Sequence, residues 1–181
     1  RGASSSLYGS NSLSGVVNII SKDLSKDGSN ARFSVKLESY NTINPIFSYK
    51  YKKNRFQISA SADYYKTAGY DLIETDILNT INPFTNHTLQ SKIRYLLSDK
   101  ISLYGMARYY IQEQLNTAIN LDSILDGESH LKEWNFGSSL KYFLNPNITQ
   151  EIDFYATNYK ADEFLNFQDG TLFEDNYFDH K

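Results

Sequence analysis

The amino-acid sequence predicts an all-β chain built from antiparallel strands of the transmembrane-barrel kind, about seven or eight strands of a larger barrel. Three observations predict it. Apolar and polar residues alternate over long runs, which is the period of a strand with two unlike faces. Short polar turns at one end of these runs alternate with long polar segments at the other. Aromatics make up 15% of the 181 residues, with 15 Tyr and 11 Phe but a single Trp.

The strands follow in order. Phe33, Val35 and Leu37 alternate with Arg32, Ser34, Lys36 and Glu38. Phe47, Tyr49 and Tyr51 alternate with Ser48, Lys50 and Lys52. The third run sets Phe56, Ile58, Ala60, Ala62 and Tyr64 against Gln57, Ser59, Ser61 and Asp63. Four more runs centre on Leu89–Leu97, Ile101–Ile111, Trp134–Leu144 and Ile148–Ala156, and the tail from Thr171 suggests an eighth. Tight turns are predicted at Lys53-Asn54, Ser98-Asp99 and Pro146-Asn147, one hairpin about every 46 residues. The segments 67–86, 113–131 and 161 onward are rich in Asn, Asp, Thr and Gly and read as long loops.

A soluble sandwich also alternates. Three features weigh against one. Several runs reach about 9–12 residues, the length of a membrane-crossing strand. Charges stand in mid-strand on the polar face (Lys92, Arg94, Arg108, Lys141, Asp153), which a wet lumen tolerates. Tyr64, Tyr109, Trp134 and Tyr142 fall near strand ends, where barrels carry their aromatic girdles. No stretch approaches the roughly 18 apolar residues of a spanning helix.

The absence of Cys excludes disulfides, thiolate metal sites and a Cys nucleophile. A net charge of −3 gives no broad electrostatic footprint for nucleic acid. His87, His130 and His180 fall on predicted loops, and Glu151 with Asp153 reads as a lumen-facing polar pair rather than a catalytic one. No enzymatic activity and no cofactor are expected. Asp122, Asp126, Gly127 and Glu133 follow calcium-loop spacing. Ile124 breaks the pattern where an oxygen ligand is needed, so a solvated loop is expected and no metal. The acidic run Asp162, Glu163, Asp169, Glu174, Asp175 and Asp179 reads as a solvated face, with lipopolysaccharide bridged through divalent ions as the alternative. Tyr65, Tyr70, Tyr104, Tyr110 and Tyr155 are candidate ligand-facing aromatics, with packing in the lumen as the plainer role. The Asn86 and Asn147 glycosylation patterns read as chance matches.

Residues 1–30 differ from the rest. A Gly- and Ser-rich stretch leads to Gly15-Val16-Val17-Asn18-Ile19-Ile20-Ser21-Lys22, an apolar run of the sort buried on both faces. A polar linker, Asp23 to Asn30, follows. With Arg1-Gly2-Ala3-Ser4-Ser5-Ser6-Leu7-Tyr8-Gly9 ahead of it, this stretch resembles the end of the plug domain of TonB-dependent outer-membrane receptors. Arg1, Gly2, Leu7, Tyr8, Gly9, Gly15, Val16, Asn18 and Ile19 carry the resemblance. Ala3 stands where the family usually has Pro, and Leu13 departs from the usual small residue. Thr67-Ala68-Gly69-Tyr70-Asp71 resembles the extracellular end of the family's third strand.

The resemblance implies a division into residues 1–30, the end of a plug and its linker, and residues 31–181, the N-terminal part of the barrel. It implies a barrel of about 22 strands in the outer membrane of a Gram-negative bacterium, in contact with lipid and lipopolysaccharide. It further implies energy-coupled uptake of a scarce nutrient, whether a ferric siderophore, cobalamin, haem or an oligosaccharide. The TonB complex would engage an N-terminal box that these residues do not include. The alternative from the residues alone is a passive porin or adhesin. Nucleic acid is not an expected partner.

Overall fold

Every alternating run of the sequence becomes a strand, and most strands run farther than their apolar residues mark. The structure, a computed structural model, describes residues 24, 26–73, 78–120, 123–167 and 172–173. The strands are β1 (Gly28–Glu38), β2 (Thr42–Lys53), β3 (Phe56–Thr67), β4 (Phe84–Ser98), β5 (Ile101–Asn120), β6 (Ser123–Asn145), β7 (Ile148–Phe167) and the two-residue β8 (Leu172–Phe173). They form one antiparallel sheet in the order β1-β2-β3-β4-β5-β6-β7-β8. Each strand therefore pairs only with its neighbours in sequence. The sheet is an open meander, and it does not close into a barrel among the described residues.

Local chemistry sets the short connections. At the tight-turn end, β2–β3, β4–β5 and β6–β7 are joined by two residues each, within one residue of the predicted turns. Asn54 takes φ 51 in the first of them, a left-handed conformation that Asn tolerates better than most residues. The opposite end begins with another tight turn. Tyr40 and Asn41 have φ 61 and 52, and the Thr42 N–H donates to the Ser39 carbonyl at 3.3 Å. Two successive positive φ values match the twist of a hairpin turn.

The long-loop expectation needs correction at two of three places. Residues 113–131 are mostly strand: β5 continues to Asn120 and β6 begins at Ser123. Residues 161–167 are the end of β7. Among the described residues only the β3–β4 connection is a long loop, and β4 already begins at Phe84; most of the segment beyond residue 167 lies outside the described residues. Polar residues form these strand extensions because both faces are polar there, so the backbone ladder keeps its register without apolar marks. Of the predicted segment 1–30, residues 1–23 and 25 lie outside the described residues. β1 begins at Gly28, four residues ahead of the predicted alternation.

The register gathers most of the apolar residues on one face of the sheet. Phe33 opposes Phe47, then Ala62, Leu89, Tyr109 and Trp134 follow in one cross-strand row. A second row runs Ala31, Tyr49, Ala60, Ser91, Ala107, Phe136 and Ala156. A slip of one residue on any strand would break these rows.

Candidate functional site: the two faces of the sheet

Burial on this sheet is inverted. Phe33 is 68% exposed, Leu37 75% and Ile152 70%, all on the apolar face. Among the described residues the buried polar side chains are Thr42, Asn44, Thr67, Ser102, Asn135 and Ser139, and the only buried apolar one is Leu125. By register all seven lie on the other face. Side chains crowd on the inside of a curved sheet and splay on the outside. The polar face is therefore the concave one.

The apolar face forms a continuous band. From the Ile101 row to the Ile111 row it covers ten residues of strand, about 33 Å at 3.3 Å per residue. Seven strands at about 4.8 Å spacing make it about 29 Å wide. The resulting patch of roughly 950 Å² exceeds the roughly 300–600 Å² found on soluble monomers. Aromatics edge the band. Tyr109 and Trp134 stack at one end with centroids 4.0 Å apart. Tyr51 and Phe56 meet at the other, 6.5 Å apart, with Tyr95 and Tyr142 alongside in the register.

The concave face holds a connected polar network. Asn135 is its hub: its Oδ1 accepts from the Tyr155 hydroxyl at 2.5 Å and the Thr157 hydroxyl at 3.0 Å, and its Nδ2 donates to Glu133 at 2.6 Å. Glu133 also pairs with Arg108 at 3.2 Å, and the Arg108 guanidinium lies 4.9 Å over the Tyr110 ring. From Tyr110 a ladder climbs β5. The Tyr110 hydroxyl donates to Gln112 at 2.5 Å, Gln112 to Gln114 at 3.0 Å and Gln114 to Asn116 at 3.0 Å. Asn116 donates in turn to Ser129 and, at 3.3 Å, to Glu163. Among the described residues no buried side-chain nitrogen or oxygen lacks a partner. A low-dielectric interior makes a fully satisfied network rigid and a broken one costly.

The predicted ligand-facing aromatics separate on this geometry. Tyr65, Tyr104, Tyr110 and Tyr155 all line the concave face. Tyr65 stacks on Phe84 at 5.3 Å. Tyr104 sits between Arg94 and Ser139 in the register. Tyr70 does not join them. It lies in the β3–β4 loop, bridges to Ile81 and packs on Tyr40 at 5.0 Å. Sequence analysis missed Tyr159, Asn135 and the amide ladder, although continuing the β5 alternation past Ile111 would have put Gln112, Gln114 and Asn116 on this face.

Other sequence-based expectations are revised. Asp126 and Glu133 sit on β6, seven residues apart and so on opposite faces, about 23 Å apart along the strand. They cannot share a calcium ion, and Asp122 lies outside the described residues. His87 and His130 are on strands rather than loops, beside Tyr64 at 4.9 Å and Glu128 at 3.3 Å respectively. His180 lies outside the described residues. Glu151 is engaged by Lys141 at 2.8 Å and the Ser139 hydroxyl at 2.9 Å, a wall-lining ion pair. Asp162 and Glu163 belong to β7, while Asp169, Glu174, Asp175 and Asp179 lie outside the described residues.

Arg1, Gly2, Leu7, Tyr8, Gly9, Gly15, Val16, Asn18 and Ile19 also lie outside the described residues. The chain that follows them meets the sheet on its concave side. Lys52, on that face, donates from Nζ to the Leu24 carbonyl at 3.1 Å, and the Asn54 N–H donates to the Asp27 carboxylate at 2.8 Å.

No protein-family model, curated protein or solved structure matches the chain.

Proposed function

We propose that this chain is the opening part of the barrel of a TonB-dependent outer-membrane receptor, joined to the end of its plug domain. The reading takes the convex band as the lipid face. Its length of about 33 Å along strands tilted near 40° gives a height of about 25 Å, the height of an outer-membrane apolar band. The concave polar wall becomes the lumen, where charges stay hydrated.

The observations that support the receptor reading over a plain barrel are the plug-like motif in the sequence and the contacts of the residues that follow it. A plug-like motif ends at Lys22, and Leu24 and Asp27 then contact Lys52 and Asn54. Leu24 thus touches a concave-face side chain at the tight-turn end, which is compatible with a plug lying inside a lumen. A passive porin or adhesin needs no such element. Function on this reading is energy-coupled import of a nutrient too large or too scarce for diffusion, with binding and transport rather than catalysis as the chemistry.

The test is uptake by cells carrying the whole natural protein. Radiolabelled candidate cargo, namely a ferric siderophore, cobalamin, haem or an oligosaccharide, should enter against a gradient. Entry should stop when TonB is deleted or the proton gradient is collapsed. Uptake that is passive and insensitive to both treatments would replace the receptor reading with the porin one.

A further inference from the structure

The amide ladder on β5 is joined end to end and still has hydrogen-bonding capacity to spare. A Gln side chain offers two N–H donors and two carbonyl lone pairs. Gln112 uses one donor on Gln114 and one lone pair on the Tyr110 hydroxyl. Gln114 uses one donor on Asn116 and one lone pair on Gln112. Each of these two half-buried amides therefore keeps one N–H and one lone pair, side by side on the concave face. The ladder already holds them in place, so a ligand meets a preorganised row.

Aromatics flank the ladder on both sides. Phe84 of β4 is opposite Gln114 and stacks on Tyr65 of β3 with the rings 16° apart. Tyr159 of β7, 37% exposed, lies across Glu133 from Tyr110. The charge pattern is one-sided. From the Tyr110 row outward, the concave face between β3 and β7 carries Asp63, Glu133 and Glu163 and, among the described residues, no Lys, Arg or His. Arg108 sits one row inward, paired to Glu133.

Donor–acceptor pairs beside aromatic rings fit one kind of ligand. Sugar hydroxyls both donate and accept, and two neighbouring ones match the N–H and C=O of a single amide. The C–H face of a sugar ring is apolar and packs on an aromatic ring. Haem with its carboxylates, or an anionic ferric catecholate, would meet carboxylates there without a free cation, and like charges in contact are costly. The ladder from Tyr110 to Asn116 spans six residues of strand, about 20 Å. A row of that length suits an extended chain of sugar units better than a compact corrinoid.

We infer that the outer part of the concave wall binds a neutral oligosaccharide, with Gln112 and Gln114 pairing its hydroxyls and the Phe84–Tyr65 stack packing on its rings. The inference rests on the receptor reading above and names the cargo class within it.

The whole natural protein, in a detergent without a sugar headgroup, is passed over immobilised neutral hexasaccharides (glucans, xylans, mannans and galactans) and their uronic-acid and sulfated counterparts. Wild type should retain a neutral glycan over its acidic counterpart. The Gln112→Leu, Gln114→Leu double variant should bind it about 25-fold more weakly, about fivefold per amide. Phe84→Ala should lose about fivefold and Phe84→Trp should keep binding; this pair carries the test if the double variant does not fold. Gln57→Leu, at the tight-turn end of the same face, should match wild type. Equal binding by folded double variant and Phe84→Ala would overturn the site, as would a preference for acidic glycans or no glycan bound. TonB-dependent uptake of a ferric siderophore, haem or cobalamin without glycan binding would overturn the site and leave the receptor reading standing. Glycan binding with uptake indifferent to TonB would overturn the receptor reading and leave the site.

Discussion

Replacing Phe136 by Lys separates a lipid face from a wet one by a factor large enough to measure. Phe136 lies between Ala107 and Ala156 in the register, half exposed, with Phe154 6.3 Å away. Its row is four residues from the Ile111 row and six from the Ile101 row, about 13 and 20 Å along the strand. It therefore sits near the middle of the band. Lys at a bilayer midplane costs about 2–4 kcal/mol, and about 0–1 kcal/mol near the interface. In water, an exchange on an exposed sheet face stays within about 0.5 kcal/mol. Phe136→Lys should therefore shift the folding equilibrium in lipid by about 30- to 700-fold, while Ile111→Lys, at the edge, should shift it by no more than about fivefold. The assay is urea titration of the whole protein in short-chain phosphatidylcholine vesicles, read by heat-modifiable gel migration and tryptophan emission. Equal costs at the two depths, or none at either, would refute the assignment of this face to lipid.

Gly69 has φ 74, and a Cβ there would come within 2.3 Å of the Ile81 carbonyl oxygen, so Gly69→Ala should abolish the protection of the Tyr70 and Ile81 amides from hydrogen exchange. Asn135→Leu strips three partners from the concave network and should cost about 1–3 kcal/mol in the same urea titration. Asn41→Gly should be neutral while Asn41→Val costs about 1–2 kcal/mol, because the turn holds this residue at φ 52. Residues 1–181 expressed alone should neither migrate as a heat-modifiable species nor quench on cargo addition, since among the described residues β1 has no strand on its outer side; a stable, monomeric, inserted form would count against the barrel reading.

Much of the fold was legible because alternation survives wherever one face is apolar. The Ile101–Ile111 run and the Trp134–Leu144 run located the middles of β5 and β6, and Asn54, Asp99 and Pro146 located the turns. The outer thirds of these strands were illegible for a physical reason. Past Ile111 the convex residues Glu113, Glu128 and His130 are as polar as the concave Gln112, Gln114 and Ser129, so periodicity carries no contrast. The segment from Asp126 to Glu133 was read as a solvated loop for the same reason, and it is strand. The place of Tyr104 and Tyr110 on the polar face was readable from parity. The place of Tyr70 was not, because Gly69 turns the chain out of the sheet and hands Tyr70 to Tyr40.

Alternation by itself does not separate a lipid-facing sheet from half of a soluble sandwich, and burial adds which face is the crowded one. In a sandwich the apolar face meets a second layer and becomes the buried one. Here it is the convex, splayed face, and the crowded concave face is polar and internally satisfied. The backbone then limits what the sheet can be. β1 spans 11 residues, and alternate residues aim their N–H and C=O groups away from β2. About five donors and five acceptors therefore face outward, each costing several kcal/mol in hydrocarbon without a partner. No side-chain arrangement on β1 relieves a debt of tens of kcal/mol. If the convex face meets lipid, those groups need partners, which the described strands do not supply.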